Sequence, residues 1–284
     1  MTFFALALTP PFAFLLGACF GSFLNVCIAR WPREMSVVRP RSRCPKCGHQ
    51  LAWFENVPLV SWLVLRGRCR CCTESISPMY LVVELTVALI WLACALVLGP
   101  TFTALRVAVF STILVGVALT DLQTYLIPDG FTLFGLGWTL LTSIAAFFVG
   151  DISQFAGPYD ALIGACAGAG MIAIVGWLGE VTLRREAMGL GDVTLMAFIG
   201  GALGPQRAIM SVFVASALGA ATFLGVVYPL TWLRRHSIHR EQTELALGGG
   251  SFQPPLVPFG VFLAPAALLT LLWGDAWLAW LLRS

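Results

Sequence analysis

Charge is what this sequence has least of. Only 11% of its 284 residues are charged, against roughly 25% in an ordinary soluble domain, while 58% are hydrophobic. A water-soluble fold of this length cannot bury that much apolar surface, so a soluble globular domain is excluded and lipid must solvate most of the chain. No Lys or Arg precedes Arg30. The N-terminus therefore lacks the basic region of a secretory signal peptide and reads as a retained first span. There is no low-complexity tract, no glycine loop of the dinucleotide-binding kind, and no internal repeat of the sort that marks two-halved transporters. No nucleic-acid partner is expected.

What is present is a series of apolar runs of spanning length, roughly 17–25 residues each. They fall at about 4–28, 79–98, 103–120, 131–149, 159–179, 207–231 and 257–281. A shorter, glycine-rich run at 193–204 reads as a short or tilted eighth span. The turn clusters Gly99-Pro100, Pro128-Asp129-Gly130, Gly157-Pro158 and Gly204-Pro205 punctuate them. Fourteen of the 17 basic residues lie in three alternate connections, 29–78, 181–192 and 233–256. With eight spans these connections share one side, which the positive-inside rule makes cytoplasmic, with both termini outside. The expectation is an all-α, polytopic helical transmembrane protein of about eight spans. It divides into a first span (1–28), a cytoplasmic loop (29–78) and a transmembrane core (79–284). Glu241 to Pro255, with Gly248-Gly249-Gly250 and Pro254-Pro255, reads as a flexible cytoplasmic linker.

Five of the nine cysteines cluster in the long basic loop. Cys44-Pro-Lys-Cys47 and Cys69-Arg-Cys-Cys72 form two CxxC pairs with 21 residues between them. That spacing predicts a four-thiolate tetrahedral zinc site, a small zinc-ribbon-like unit that ties down a loop too small for its own core. The cytoplasm is reducing, which disfavours disulfides. Four thiolates leave no open position, so the role is structural. Cys71 competes with Cys72, and His49 is a weaker ligand candidate. Between the knuckles, Leu51 to Leu65 is apolar but too short to span; it reads as an interfacial segment, a packed core for the loop, or a docking surface.

The chain has six aspartates. The weave puts Asp151, Asp160 and Asp275 outside and Asp121, Asp129 and Asp192 at the cytoplasmic boundary. Asp121 ends the third span, where the helix dipole opposes a negative charge, so its position calls for a reason. Asp192 closes Gly189-Leu-Gly-Asp192, whose glycines permit close approach of another segment. Two carboxylates from different spans at one boundary can share a proton, one ionised to activate water, the other protonated to polarise a carbonyl. The alternative is that both are ordinary residues at helix ends. Asp129 reads as a turn or N-cap residue ahead of the fourth span. Glu84, one turn into the second span, is either functional or a structural acid near a helix N-terminus.

These residues resemble the type IV prepilin peptidase family, the prepilin leader peptidase/N-methyltransferases. The resemblance rests on an ordered set: Gly21-Ser-Phe-Leu-Asn-Val26 with Arg30-Trp-Pro32; Cys44-Pro-Lys-Cys47-Gly-His49; Glu55-Asn-Val-Pro-Leu-Val-Ser-Trp62 with Gly67-Arg-Cys69; Asp121 with Pro128-Asp129; Gly189-Leu-Gly-Asp192; and Pro258-Phe-Gly260. It implies a bifunctional enzyme of the bacterial inner membrane, multi-pass, with its active site facing the cytoplasm. Such an enzyme cuts the basic leader from type IV prepilins or type II secretion pseudopilins after a glycine. It then methylates the new N-terminal residue with S-adenosylmethionine. Asp121 and Asp192 match the family's catalytic pair, and 79–284 becomes an aspartyl peptidase core. Two departures are visible: Thr194 stands where the family usually has Lys, and Cys71 adds a thiol beside Cys72. The methyl-donor site is not identified by any motif, though Asn25 and Glu84 are candidates. Two other readings compete. A presenilin-like protease also uses a GxGD aspartate but carries a Pro-Ala-Leu element where this chain has Val257-Pro-Phe-Gly260. A zinc-regulated transporter would line a pathway with Asp121, Asp192 and Glu84.

Overall fold

The computed structural model describes residues 9–284 apart from 152, 185–187, 230–257, 282 and 284. The expected linker at 241–255 and the start of the expected first span lie outside the described residues. Among these residues the chain is helical, with isolated bridges at Arg43–Gln50 and Arg68–Ser75 in place of strands. The eight principal helices are α1 (Pro10–Arg30), α2 (Met79–Leu98), α3 (Phe102–Thr124), α4 (Asp129–Val149), α5 (Pro158–Leu183), α6 (Leu190–Leu203), α7 (Pro205–Thr222) and α8 (Gly260–Leu281). All but α6 are long and apolar enough to cross a membrane. With 14 residues, α6 is about 21 Å long, short of the roughly 30 Å hydrocarbon core. The expected all-helical polytopic fold is what the chain adopts, with seven helices of spanning length among the described residues and α6 as the short eighth.

The helix ends sit where local chemistry puts them. Thr101 caps α3 by accepting the Ala104 N–H at 3.1 Å. Pro158 and Pro205 open α5 and α7 at a position where the missing N–H costs nothing. Gly204, at φ +81°, makes the break between α6 and α7. Three boundaries differ from the sequence expectation in a way that matters. α3 continues through Thr124, so Asp121 lies in its last turn rather than at its tip. α4 and α6 start two or three residues early, which moves Asp129 and Asp192 from loops into first turns.

Small residues set the closest packing. A Cβ on Gly21 of α1 would lie 2.7 Å from the Glu84 Cα of α2, and one on Gly17 would lie 2.8 Å from the Ala88 Cα. One on Gly164 of α5 would lie 2.2 Å from the Gly200 carbonyl oxygen of α6. Such backbone-to-backbone contact substitutes for the hydrophobic drive that helices lose in lipid. Around these seams a buried cluster runs through Phe110, Leu114, Phe198 and Leu263. Large apolar side chains such as Leu141, Phe148 and Phe213 point outward, as a lipid-facing surface requires.

The far end of the bundle is tied by polar contacts. Thr103, in the first turn of α3, donates to Asp151 at 2.9 Å. The buried Arg106 donates to Ser153 at 2.9 Å and lies 4.3 Å over the Phe155 ring. Arg207 lies 3.6 Å from Asp275, late in α8. Asp121 occupies the opposite end of α3, and Asp151 and Asp275 are thereby separated from it by the length of the bundle.

Candidate functional site

The two cysteine knuckles fold alike. The Cys44 N–H donates to the His49 carbonyl at 2.9 Å and the Gly48 N–H returns to the Cys44 carbonyl at 3.0 Å. In the second knuckle Cys69 and Glu74, then Thr73 and Cys69, repeat this pattern at 2.8 and 2.9 Å. The turn residues Gly48 and Thr73 both have positive φ, +74° and +57°. The result brings the Sγ atoms of Cys44, Cys47, Cys69 and Cys72 within 4.8 Å of one another. Cys44–Cys72 and Cys47–Cys69 are 3.7 and 3.9 Å apart. A tetrahedron of thiolates at about 2.3 Å from its centre has edges of about 3.8 Å, so this donor set fits a metal ion. The thiols do not titrate alike: backbone N–H groups of Cys47 and Lys46 lower Cys44 to about 6, whereas burial and the neighbouring thiols raise Cys47 to about 12 and raise Cys72 as well. Cys71 is exposed and outside the group. His49 is also outside; its Nε2 pairs with Glu55 at 3.1 Å.

The aspartates are brought together by four segments from distant parts of the chain. Asp121 is buried in the last turn of α3. Its Oδ2 accepts the Val261 N–H at 3.2 Å, in the first turn of α8. This supplies the reason its position called for: the carboxylate stands at the negative end of one helix and at the positive end of another. Gly260 makes the approach feasible, since a Cβ there would lie 2.8 Å from Asp121 Oδ2 and 3.1 Å from Ile127 Cδ1. Ile127 also receives the other partner. A Cβ on Gly191 would lie 2.9 Å from Ile127 Cβ and 3.1 Å from its carbonyl oxygen. So the segment 125–128 is clamped between Gly260 and Gly191, and Asp192, half-buried in the first turn of α6, lies within electrostatic reach of Asp121.

The remaining sequence candidates are placed elsewhere. Asp129 is exposed as the first residue of α4; Pro128, and not Asp129, is the N-cap, so Asp129 is a first-turn acid rather than the cap expected from sequence. Thr194 donates its hydroxyl to the Gly191 carbonyl at 3.1 Å. Glu84 is buried and accepts the Leu59 N–H at 2.7 Å, while Asn25 donates to the Tyr80 carbonyl at 3.0 Å. The first contact straps the cysteine loop to α2, and the second ties α1 to the start of α2. The contribution of Val261 and Ile127 was not foreseen from sequence, because only the fold brings the start of α8 to the end of α3.

One further acid, which opens the motif Glu55-Asn-Val-Pro, has no role assigned from the sequence. Glu55, within the apolar stretch between the knuckles, is 7% exposed. Its Oε2 accepts the Ala52 N–H at 2.8 Å and pairs with His49. These contacts, the Ala52 N–H foremost, hold its carboxyl below the usual range despite burial. Its Oε1 has no hydrogen-bond partner; Arg70 is 3.8 Å away. Glu55 lines a cavity of about 350 Å³ with His49, Ala52, Phe54, Arg70 and Cys71. A second cavity of about 350 Å³ shares Ala52 and extends past Trp53, Asn56 and Arg41 to Val26 and Arg30 at the end of α1. The next residue, Trp31, packs edge-on to Phe131 at 4.4 Å and covers Gly130, beside the segment that carries Ile127.

Residues 15–98 match the family model described as the bacterial peptidase A24 N-terminal domain, and residues 108–224 match that of the type IV leader peptidase family. The chain is 39% identical over 254 residues to a prepilin leader peptidase/N-methyltransferase from Myxococcus xanthus, covering 89% of this chain and 72% of that one. It is 35% identical to a protein of the same description from Aeromonas hydrophila over 95% of this chain and 93% of that one. A Pseudomonas aeruginosa relative is 34% identical over 92% and 89%. No solved structure matches it significantly.

Proposed function

Since this chain belongs to the type IV leader peptidase family, we propose that it cleaves the leader of prepilins or pseudopilins with Asp121 and Asp192, and then N-methylates the new N-terminus. The cleavage reading is supported by the junction of α3, α6 and α8, where Asp121 accepts the Val261 N–H, Ile127 lies between Gly260 and Gly191, and Asp192 stands within electrostatic reach of Asp121. One carboxylate, ionised, takes a proton from water as the water oxygen attacks the scissile carbonyl carbon. The other, protonated, donates to the carbonyl oxygen as it gains charge. Collapse of the tetrahedral species passes a proton to the leaving amine, and the dyad returns to its shared-proton state. The Val261 N–H, at the start of α8, holds the Asp121 carboxylate in place. A substrate whose apolar helix lies in the bilayer presents its scissile bond at such a boundary.

The basic connections at 29–78 and 181–192 put this end in the cytoplasm under the positive-inside rule, in a bacterial inner membrane. The division into a first span, a loop at 29–78 and a peptidase core at 79–284 belongs to the same reading. The four cysteines hold a structural zinc ion, whose chemistry is to crosslink the two knuckles. S-adenosylmethionine is the methyl donor, a substrate of the second reaction. The transporter reading has no support in the burial of Asp121 against α8, and the presenilin-like reading does not account for the cysteine loop. The test is incubation of membranes with a prepilin and S-adenosylmethionine, followed by mass spectrometry of the product N-terminus. A cleaved and methylated product is expected; an intact leader overturns the proposal.

A further inference from the structure

We propose that Trp31 is a positioning residue for the aspartate dyad, bracing the helix of Asp121 and the Ile127 segment from the N-terminal part of the chain, an inference that rests on the peptidase reading above. Arg30-Trp-Pro32 is a motif to which neither cleavage nor metal binding assigns a role. It runs into a short 3-10 turn, Trp31–Arg33, directly after α1. The Glu34 N–H closes the turn on the Trp31 carbonyl at 2.9 Å, and the Arg30 guanidinium donates across it to the Ser36 carbonyl at 2.9 Å. Pro32 fixes φ within it. The turn thus carries the Trp31 ring to a defined place.

That place is the start of α4. The ring stands edge-on to Phe131, with ring centres 4.4 Å apart, and a Cβ on Gly130 would lie 2.6 Å from Trp31 Cε2. Phe131 is buried and touches both elements of the dyad's frame. Its ring lies against Gly116 of α3, where a Cβ would meet Phe131 Cε1 at 2.5 Å and Leu24 Cδ1 of α1 at 2.7 Å. Its N–H donates to the Pro128 carbonyl at 3.1 Å. Gly116 stands about 7.5 Å before Asp121 along the helix axis. Pro128 directly follows Ile127, which packs against Gly191 beside Asp192. Trp31 and Leu24 belong to the part matched over 15–98, whereas Phe131 and both aspartates belong to the part matched over 108–224. A side chain of the first part therefore closes a packed node that sets the site of the second. Interiors packed this closely transmit a shift rather than absorb it, and a displacement of about 1 Å at reacting groups can cost on the order of a hundredfold in rate. As a brace and not a substrate contact, Trp31 acts on turnover and leaves affinity alone.

The experiment uses the full chain purified in detergent with a prepilin substrate, and reads kcat and KM for leader cleavage beside zinc content and melting temperature. Trp31→Ala is expected to lower kcat at least about tenfold with KM within about twofold of wild type and zinc content unchanged. Trp31→Phe keeps a ring against Phe131 and recovers most of the rate. Gly130→Ala displaces the Trp31 ring from the other side, with the motif itself intact, and lowers kcat as well. Combined with Trp31→Ala it adds nothing further, because the ring it would meet is gone. Wild-type kcat in W31A, a raised KM at wild-type kcat, or fully additive losses in the double variant each overturn the brace while leaving the peptidase reading intact. If W31A loses its zinc or melts below the assay temperature, G130A decides alone, and wild-type kcat there overturns the inference. A wild-type chain that leaves the leader intact overturns both.

Discussion

The Asp121 carboxylate accepts the backbone N–H of Val261 across 140 positions of sequence, at 3.2 Å. An acid at the C-terminal end of α3 is thereby seated at the N-terminal end of α8. Its dipole conflict on one helix is offset by a favourable one on the other. Asp192 stands within electrostatic reach of the same carboxylate.

If these two carboxylates form the dyad, Asp121→Ala and Asp192→Ala each reduce leader cleavage by at least about 100-fold, the lower range for loss of a general acid or base. Both variants remain folded in membranes. Asp129→Ala, at an exposed first-turn position, costs much less. A gel-shift assay of prepilin processing reads all three, and cleavage retained in either of the first two removes that residue from the dyad.

Gly260→Ala tests the junction itself. The added Cβ meets Asp121 Oδ2 at 2.8 Å and Ile127 Cδ1 at 3.1 Å, both ends of side chains that can shift. The expected result is therefore loss of cleavage rate with little change in thermal stability. A variant with normal rate shows that the seat of Asp121 has no bearing on catalysis.

The glycine seams predict stability directly. Gly164→Ala puts a methyl group 2.2 Å from the Gly200 carbonyl oxygen, which forces α5 and α6 apart and should cost about 1–3 kcal/mol or more. Gly137→Ala meets nothing within 4 Å and should be neutral or stabilise α4 by up to about 1 kcal/mol. Melting temperatures of the two variants in one detergent should separate in that order.

Elemental analysis should find about one zinc ion per chain. Cys44→Ser and Cys69→Ser remove ligands and lower that content, and proteolysis within the loop speeds up because the knuckles depend on the ion for their fold. Cys71→Ser, outside the four-sulfur group, retains it. A folded, active and metal-free preparation sinks the site.

The order of helices, their membrane character and the pairing of cysteines were legible in the chain. Each follows from local chemistry: apolar runs of spanning length, turn glycines and prolines, and CxxC spacing. Charge bias supplied the expected orientation in the same way. The aspartates were narrowed to one boundary by counting spans, and the family resemblance singled out two. Three things were decided only by tertiary structure: that Asp121 would be held by Val261, that Ile127 would be clamped between Gly191 and Gly260, and that Glu84 of α2 would hold the Leu59 N–H of the cysteine loop. They are contacts between segments up to 140 residues apart, set by how helices pack through glycine seams. No local propensity or spacing records such a distance.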